Sequence, residues 1–162
     1  MPIYMGIFTK GNVLDKRFRG DVTARGYEGW IELQSAQLGQ MRRVGAVGTT
    51  NQPAQPVQEI VITKLQDSAS NALFREAIDG REGRLVVIHF VKGEETSMRI
   101  VLQGVMIGSF GLSGPGADGP RGPTESFSLN FTKITFDASS ASPTTTQTQL
   151  YKLSQQSTEQ AN

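Results

Sequence analysis

A change in hydrophobic phase marks the segment Thr124–Asp137. Apolar residues alternate with polar ones from Phe127 to Phe131, and they alternate in the opposite phase from Ile134 to Phe136. Because successive side chains of a β-strand point to opposite faces of the sheet, this change moves the apolar set to the other face. Two interpretations follow: a β-bulge near Thr132-Lys133, or a strand that leaves one core and enters another apolar surface.

A second change of phase lies upstream. Met98, Ile100 and Leu102 alternate with polar residues, and after Gln103-Gly104 the phase shifts to Val105 and Ile107. Since the change occurs twice, we interpret both segments as strands that serve two apolar surfaces, as an assembling β-barrel subunit requires.

Much of the remaining chain has the pattern of β-strands. Ile3–Phe8, Trp30–Leu33 and the β-branched Glu59–Thr63 each predict a short strand. Leu85–Val91 is apolar on both faces, so we expect both faces to be covered. The pattern therefore predicts a mainly β fold.

One helix is predicted over residues 70–79. Its apolar residues, four apart in two pairs, form a single stripe that we expect to be buried: Leu73, Phe74, Ala77 and Ile78. Ser70, Asp67 or Ser68 supplies a side chain that accepts hydrogen bonds from the first-turn amides. Gly80 supplies a left-handed stop.

Two long loops interrupt the strands. The first, residues 38–58, exceeds the length of ~15 residues beyond which a loop in a compact domain is usually functional or disordered. Its apolar and basic side chains favour docking onto another surface: Met41, Arg42, Arg43, Val44 and Val47. The second loop, Gly111–Pro123, is rich in glycine and proline.

The last part of the chain differs in composition. Fifteen of the 25 residues from Ala138 onward are Ser, Thr or Gln, which predicts a mobile tail over residues 138–162 and a folded domain over residues 1–137. Only Leu150–Leu153 has the pattern of an edge strand.

Composition bounds the function. The length of 162 residues fits one domain, and the absence of cysteine excludes disulfides and thiolate metal sites. A formal net charge of +1 gives no general case for nucleic acid. No apolar run approaches the ~20 residues of a membrane helix, and Met1–Phe8 is too short for a signal-peptide core. We therefore expect no membrane insertion, and export, if it occurs, without a signal peptide.

Candidate chemistry is sparse. His89 is the single histidine, and it lies within a predicted strand. A catalytic triad or a histidine-based metal site needs residues that this chain lacks, and no glycine–lysine phosphate loop occurs. The sequence predicts no catalytic, cofactor-binding or metal-binding residue, so we expect a protein that is not an enzyme.

Three stretches together resemble the haemolysin-coregulated proteins, the inner-tube subunits of the bacterial type VI secretion system. They are Ile62–Ser70 leading into the predicted helix, Leu102–Ser109, and Thr124–Phe136. With the first strand, the resemblance covers about residues 3–137. The chain departs from the family in Asn71, where proline often follows the serine pair. It also lacks the family's tryptophan-containing last strand.

The resemblance implies a small antiparallel β-barrel with one helix that assembles as a hexameric ring. Rings of the family stack into a tube that leaves the cytoplasm. The lumen carries small effectors, and sheath, spike and effector proteins are the implied partners.

Two other functions fit the sequence. One is a contractile-phage tail-tube subunit, which has a similar fold. The other, from a different class, is a monomeric β-sandwich that binds a ligand or acts as an adhesin. Such a protein would use a concave aromatic site, for which the chain offers a single tryptophan, Trp30. Molar mass in solution separates a ring from a monomer.

Two sets of residues carry the assembly hypothesis. In a ring, the phase-shifted strands supply contacts between neighbours, so at least two of Val105, Ile107, Ile134 and Phe136 are expected at or near a subunit contact. The loop over residues 38–58 is expected to project from one rim and contact the next ring, with Arg42 and Arg43 facing carboxylates.

Overall fold

The computed structural model describes residues 1–41, 57–80, 83–114, 122–139 and 146–152. Within these residues the strands are β1 (Ile3–Phe8), β2 (Ile31–Leu33), β3 (Ser35–Met41), β4 (Val57–Leu65), β5 (Arg84–Lys92), β6 (Glu95–Ser113), β7 (Thr124–Asn130), β8 (Lys133–Ser139) and β9 (Thr146–Lys152). The helix α1 spans Ser70–Asp79, and a short 3₁₀ helix spans Lys16–Phe18. The predicted mainly β fold with one helix at 70–79 is confirmed.

The strands pair in the order β2-β1-β5-β6-β7-β4-β3, and every pair is antiparallel. The two ends of this order, β2 and β3, are consecutive in the chain. Between them, the Gln34 N–H donates to the carbonyl of Thr63 in β4. The order therefore closes on itself as a small barrel, and β8 and β9 extend it beside β6.

The barrel has two halves. We call β2, β1, β5, the first part of β6, β8 and β9 sheet A. We call β3, β4, β7 and the second part of β6 sheet B. β6 belongs to both sheets because it has 19 residues and bends between them.

The two changes of hydrophobic phase meet at this bend. Gly104 has φ +64, and β6 carries one extra residue there relative to β5, since Arg84 and Val86 pair with Val105 and Leu102. On the neighbouring strand, β7 ends and β8 begins around Thr132, whose N–H donates to the Gln103 carbonyl. A side chain at position 104 would collide with the Thr132 hydroxyl. One bulged corner therefore explains both changes.

The corner keeps the apolar residues in a single core. Core residues on both sides of both changes belong to one cluster: Ile100, Leu102, Val105, Ile107, Phe127, Leu129, Phe131 and Ile134. The interpretation that these strands serve two apolar surfaces is wrong, and the bulge interpretation is right. A one-residue change of phase would normally turn the following side chains to the other face of the sheet. The extra residue of the bulge turns them back, so they still face the core.

The interface prediction changes accordingly. Val105, Ile107 and Ile134 are buried within the subunit, so their side chains have almost no surface left for a neighbour. Their assignment at or near a subunit contact stays a prediction, although it cannot rest on exposed side-chain surface. Phe136 packs on the core from a half-buried position, and its assignment stays a prediction.

The helix is less buried than its stripe predicted. Leu73 is fully buried and Ala77 packs against the core, but Phe74 is 46% and Ile78 66% exposed. Burial of these two residues was a wrong prediction. Successive residues of an α-helix are rotated by about 100°, so a helix that faces the barrel through Leu73 and Ala77 turns the next residue of each pair away.

The helix ends differ from expectation in detail. Ser70 Oγ accepts from the Asp67 N–H at 2.9 Å, and Asp67 Oδ1 accepts from the Ala69 N–H at 3.0 Å. Gly80 has φ −59, so it is not a left-handed stop. Its N–H donates to the Glu76 carbonyl, and a Cβ at this position would collide with that oxygen. Glycine is thus needed here for close approach.

The strands extend into the predicted loops and tail. β3 runs to Met41 and β4 begins at Val57, so the predicted loop is shorter than residues 38–58. Arg42, Arg43, Val44 and Val47 lie outside the described residues. β6 continues to Ser113, and β9 pairs with β8, so the predicted edge strand near Leu150 begins earlier, at Thr146.

Candidate assembly surfaces

Both outer strands of sheet B have an open edge. Among the described residues, β3 pairs on one side with β4, and Met106–Ser113 of β6 pairs on one side with β7. Neither segment contains a charged residue or a proline. Soluble proteins usually protect an exposed strand edge with charges, prolines or a covering element, because its free N–H and C=O groups recruit other strands. These two edges are therefore chemically suited to pairing with another strand.

The directions of the two edge strands are compatible with each other. Sheet B is antiparallel throughout in the order β3-β4-β7-β6, so β3 and β6 run in opposite directions. A β3 strand from a second copy, placed beside β6 in the same orientation, would continue the antiparallel alternation. Sheet B can thus be extended at either edge by copies of itself.

The outward face of sheet B carries rows of hydroxyl side chains, together with Val61, Met106 and Glu59. Ser35 pairs with Thr63 and Thr63 with Ser126, and the hydroxyls of Ser35 and Thr63 are hydrogen-bonded. In the next row, Ser109 Oγ donates to Ser128 Oγ at 2.9 Å. Short hydroxyl side chains that bond to each other make a smooth wall.

The outward face of sheet A is instead partly covered by its own chain, over β1 and β5. Tyr27 lies between Tyr4 and Trp30, with ring centroids 4.7 and 5.0 Å apart. Its hydroxyl is 3.0 Å from His89 Nδ1 and 2.8 Å from Thr96 Oγ1. The expectation that β5 is covered on both faces agrees with this packing.

His89 has a structural environment. Burial, with a smaller contribution from the positive charge of Arg99, holds the pKa of His89 below its ordinary value of 6.5. Its Nε2 atom is buried and, among the described residues, has no hydrogen-bond partner. The imidazole is therefore kept neutral and fixes Tyr27 on the sheet.

A buried charge cluster joins β4, β7 and α1. Lys64 is fully buried, and its Nζ lies 2.7 Å from Asp67 Oδ1 and 2.8 Å from Glu125 Oε2. Ser70 Oγ donates to the same Glu125 oxygen at 2.9 Å. A buried charge is tolerated when partners surround it, and losing one partner is costly. The cluster therefore fixes the start of the helix on sheet B.

The sequence analysis missed the role of this cluster, although a signal was present. Lys64 has the same strand parity as Ile60 and Ile62, and Glu125 has that of Phe127 and Leu129. In each strand the charged residue continues an inward-facing set. The alternation of apolar and polar residues thus predicts that Lys64 and Glu125 both point into the core.

Other chemistry is limited in the described part of the chain. No group of three or more His, Cys, Asp or Glu residues there is placed to hold a metal ion. Within the same residues, no helix is long and apolar enough to cross a membrane.

Comparison with known proteins agrees with the fold. Hcp1 from the E. coli EAEC 042 pathovar superposes with a TM-score of 0.74 at 18% identity, covering 94% of this chain and 99% of that one. Hcp1 from Salmonella typhimurium gives 0.71 at 15% identity, covering 95% and 97%. A type VI secretion system effector from Yersinia pestis gives 0.72 at 14% identity, covering 93% and 98%. At these identities the likeness shows the fold alone.

A comparison with curated protein sequences finds no match. The family model described as "Type VI secretion system effector, Hcp" matches residues 6–137. This match covers well over half of the chain, and among the described elements it includes all of β2–β7 and the helix and parts of β1 and β8. The chain therefore belongs to the Hcp family of the type VI secretion system.

Proposed function

We propose that this chain is the ring-forming subunit of a type VI secretion tube. Proteins of the family form hexameric rings that stack into tubes. The observation that supports the same role here is the pair of open, uncharged edges on opposite sides of sheet B. A strand edge of this kind is a liability in a monomer and a contact in an assembly.

Edge pairing of this kind closes a ring. The surface on β6 meets a different surface, β3, on the next copy, so the contact is heterologous. Repetition of a heterologous contact yields a closed ring when the rotation divides a full turn. Six copies then join their four-stranded B sheets into one continuous antiparallel wall.

The outward face of sheet B is the proposed lumen wall. It carries the hydroxyl rows of Ser35–Thr63–Ser126 and Ser109–Ser128, beside the partly exposed Met106. Such a wall holds a small effector weakly and lets it leave. We propose that the subunit carries such effectors, contacts the sheath and spike of the machine, and is exported without a signal peptide.

Light scattering coupled to size exclusion tests the ring. The wild type is expected to elute with about six times the subunit mass of 17.6 kDa. A monomer would contradict the proposal and favour the ligand-binding alternative.

Charge placed at both edges tests the mode of contact. Gln37 and Ser109 are exposed and lie in the same row of sheet B, at its two edges. The double variant Gln37→Glu/Ser109→Glu puts like charges on the two joined edges and should weaken the ring. The matched pair Gln37→Lys/Ser109→Glu should restore it. Equal assembly of both pairs would contradict edge pairing.

Stacking is a separate proposal. Met41 ends β3, and we propose that the segment following it, with Arg42, Arg43, Val44 and Val47, contacts the next ring. Replacing residues 42–50 by a Gly-Ser link should leave the hexamer intact and abolish tubes and secretion. Arg42→Glu/Arg43→Glu should weaken stacking in a salt-dependent way. A monomeric shortened variant would instead assign the segment to ring closure.

A further inference from the structure

Three exposed apolar side chains lie on α1 and on β6, the strand against which α1 packs. Ile78 is 66% exposed, Leu112 is 61% exposed and Phe74 is 46% exposed. The Phe74 ring packs edge-on against Phe110 with centroids 5.0 Å apart, and Phe110 shares its face of β6 with Leu112. We call Phe74, Ile78 and Leu112 the helix patch.

The helix patch is held in place from both ends of α1. At the start, Ser70 bonds to Glu125, which in turn pairs with the buried Lys64. Near the end, Glu76 Oε1 accepts from Arg84 Nε at 2.9 Å. A surface fixed in this way loses little conformational entropy when a partner binds. Burial of its apolar area therefore contributes to affinity almost without an opposing entropy cost.

The patch lies on β6, whose second edge is open among the described residues, and on the helix that packs against β6. Phe110 pairs across the sheet with Phe127, which is buried in the core, so the patch lies on the core side of sheet B. A strand added at this edge would therefore turn alternate side chains to the core side of sheet B, the side that carries Leu112 and α1.

The other edge of sheet B carries a matching side chain. Leu38 of β3 is 43% exposed. It lies in one row with Ile60, Leu129 and Ile107, all of which are buried, so it too points to the core side. Leu38 is left uncovered because β3 has no strand beyond it among the described residues.

We infer that the helix patch of one subunit receives Leu38 of the next copy of this chain. The inference rests on the proposed ring, and it assigns the residues that make the ring contact stable. Strand register follows from it: a shift by one residue would turn Leu38 away from the patch and towards the polar face. The partner is a second copy because its β3 edge carries both the correct strand direction and the apolar residue on the correct face.

This contact also accounts for the low burial of the helix. Phe74 and Ile78 are the two members of the apolar stripe that the barrel of their own subunit does not cover. The stripe predicted from sequence is thus completed by a neighbour: Leu73 and Ala77 face the subunit core, and Phe74 and Ile78 face the next subunit.

The variants Ile78→Ser, Phe74→Ser and Leu38→Ser test the contact. Val13→Ser is the matched control, since Val13 is 63% exposed and lies outside both edges of sheet B. Molar mass is measured by light scattering over a dilution series, and unfolding of each variant is followed by circular dichroism. Each test variant should raise the concentration at half-assembly by at least about tenfold, and the control should leave it unchanged.

The pairwise contact has its own signature. If Leu38 and Ile78 touch across the interface, their effects are coupled. The double variant should then raise the concentration at half-assembly by less than the product of the two single increases. Ile78 is so exposed that its change should leave folding of the subunit intact, which isolates assembly from stability. Assembly of Ile78→Ser and Leu38→Ser at the wild-type concentration would overturn the inference and leave the ring standing. A wild type that is monomeric would overturn both.

Discussion

The two halves of the barrel treat their outward faces in opposite ways. Sheet A is covered by a segment of its own chain, in which Tyr27 and Trp30 lie against Tyr4 and His89. Within the described part of the chain, sheet B has no segment over its outward face and has an open edge on each side, at β3 and at β6. The same core supports both halves, so the difference does not come from the interior.

The difference indicates where the subunit ends and the assembly begins. Large aromatic side chains on sheet A satisfy their packing within one chain. On sheet B, the backbone groups at the two edges have no partner among the described residues. Apolar side chains near these edges, such as Leu38 and Ile78, are exposed. The face of β1 and β5 in sheet A is thus covered within one chain, whereas sheet B offers two uncharged edges for contact.

The corner between the halves is the most sensitive position. Gly104→Ala requires a side chain at φ +64 and places it against Thr132. Gly93→Ala has a similar φ of +67 but nothing within 4 Å, so it isolates the backbone cost. We expect a loss of about 1 kcal/mol for Gly93→Ala and ~3 kcal/mol or more for Gly104→Ala in chemical unfolding. Equal losses would show that the corner does not depend on close approach.

The charge cluster under sheet B should give the next largest effect. Lys64→Met leaves Glu125 buried without its cation, so the free energy of unfolding should fall by about 3–5 kcal/mol. Lys64→Met/Glu125→Leu removes both charges and should recover part of that loss. Lys10→Met is the exposed control and should change little. If the double variant is no better than Lys64→Met, the two residues do not act as a pair.

The helix allows a comparison within one element. Leu73→Ala removes a fully buried side chain and should cost about 2–5 kcal/mol. Phe74→Ala removes a side chain that is half exposed, so its cost in the isolated subunit should be smaller than the usual ~3–5 kcal/mol for a buried phenylalanine. Denaturant unfolding under conditions that dissociate the ring measures both. A larger loss for Phe74→Ala would place Phe74 in the core after all.

Acid should act first on sheet A. The pKa of His89 is lowered in the folded state by burial and by Arg99, so the unfolded chain takes up its proton at higher pH than the folded chain does. The associated stability is complete above about pH 6.5 and is lost as the pH falls towards the folded pKa. Asp15 does not interfere, because a hydrogen bond from Arg17 holds the pKa of Asp15 below 3.8.

Trp30 fluorescence reports this step, since the rings of Trp30 and His89 are 5.2 Å apart and the chain has one tryptophan. Between pH 7 and 5 the wild type should lose stability, and His89→Gln should lose less. The same slope in both proteins would remove His89 from the account.

The sequence predicted local periodicity well and its tertiary consequences less well. Strands such as β1 and β5, and the helix, follow from spacing alone because period two and period 3.6 are local properties. The changes of phase at Gly104 and Thr132 were visible, but a bulge and a second surface produce the same pattern in one chain. Only the pairing of β6 with β7 and β8 distinguishes them.

The candidate site shows the same limit. Spacing placed four apolar residues on one stripe of α1, but which part of the stripe faces the barrel depends on how the helix packs. Burial of Val105, Ile107 and Ile134 likewise follows from the corner. The open edges of β3 and β6 were not predictable, because they depend on strand order. The spacing of apolar residues predicts strands but does not predict which strands pair.

Hydrogen exchange at individual backbone amides tests the central claim most directly. The assembled wild type is compared with the dissociated Gln37→Glu/Ser109→Glu variant. The account predicts that amides on the open edges of both β3 and Met106–Ser113 of β6 are protected in the assembly and exchange rapidly when it dissociates. The edge strand β9, which pairs with β8 alone among the described strands, should exchange alike in both. Protection that appears at β9 and not at β3 and β6 would contradict the claim that sheet B makes the ring.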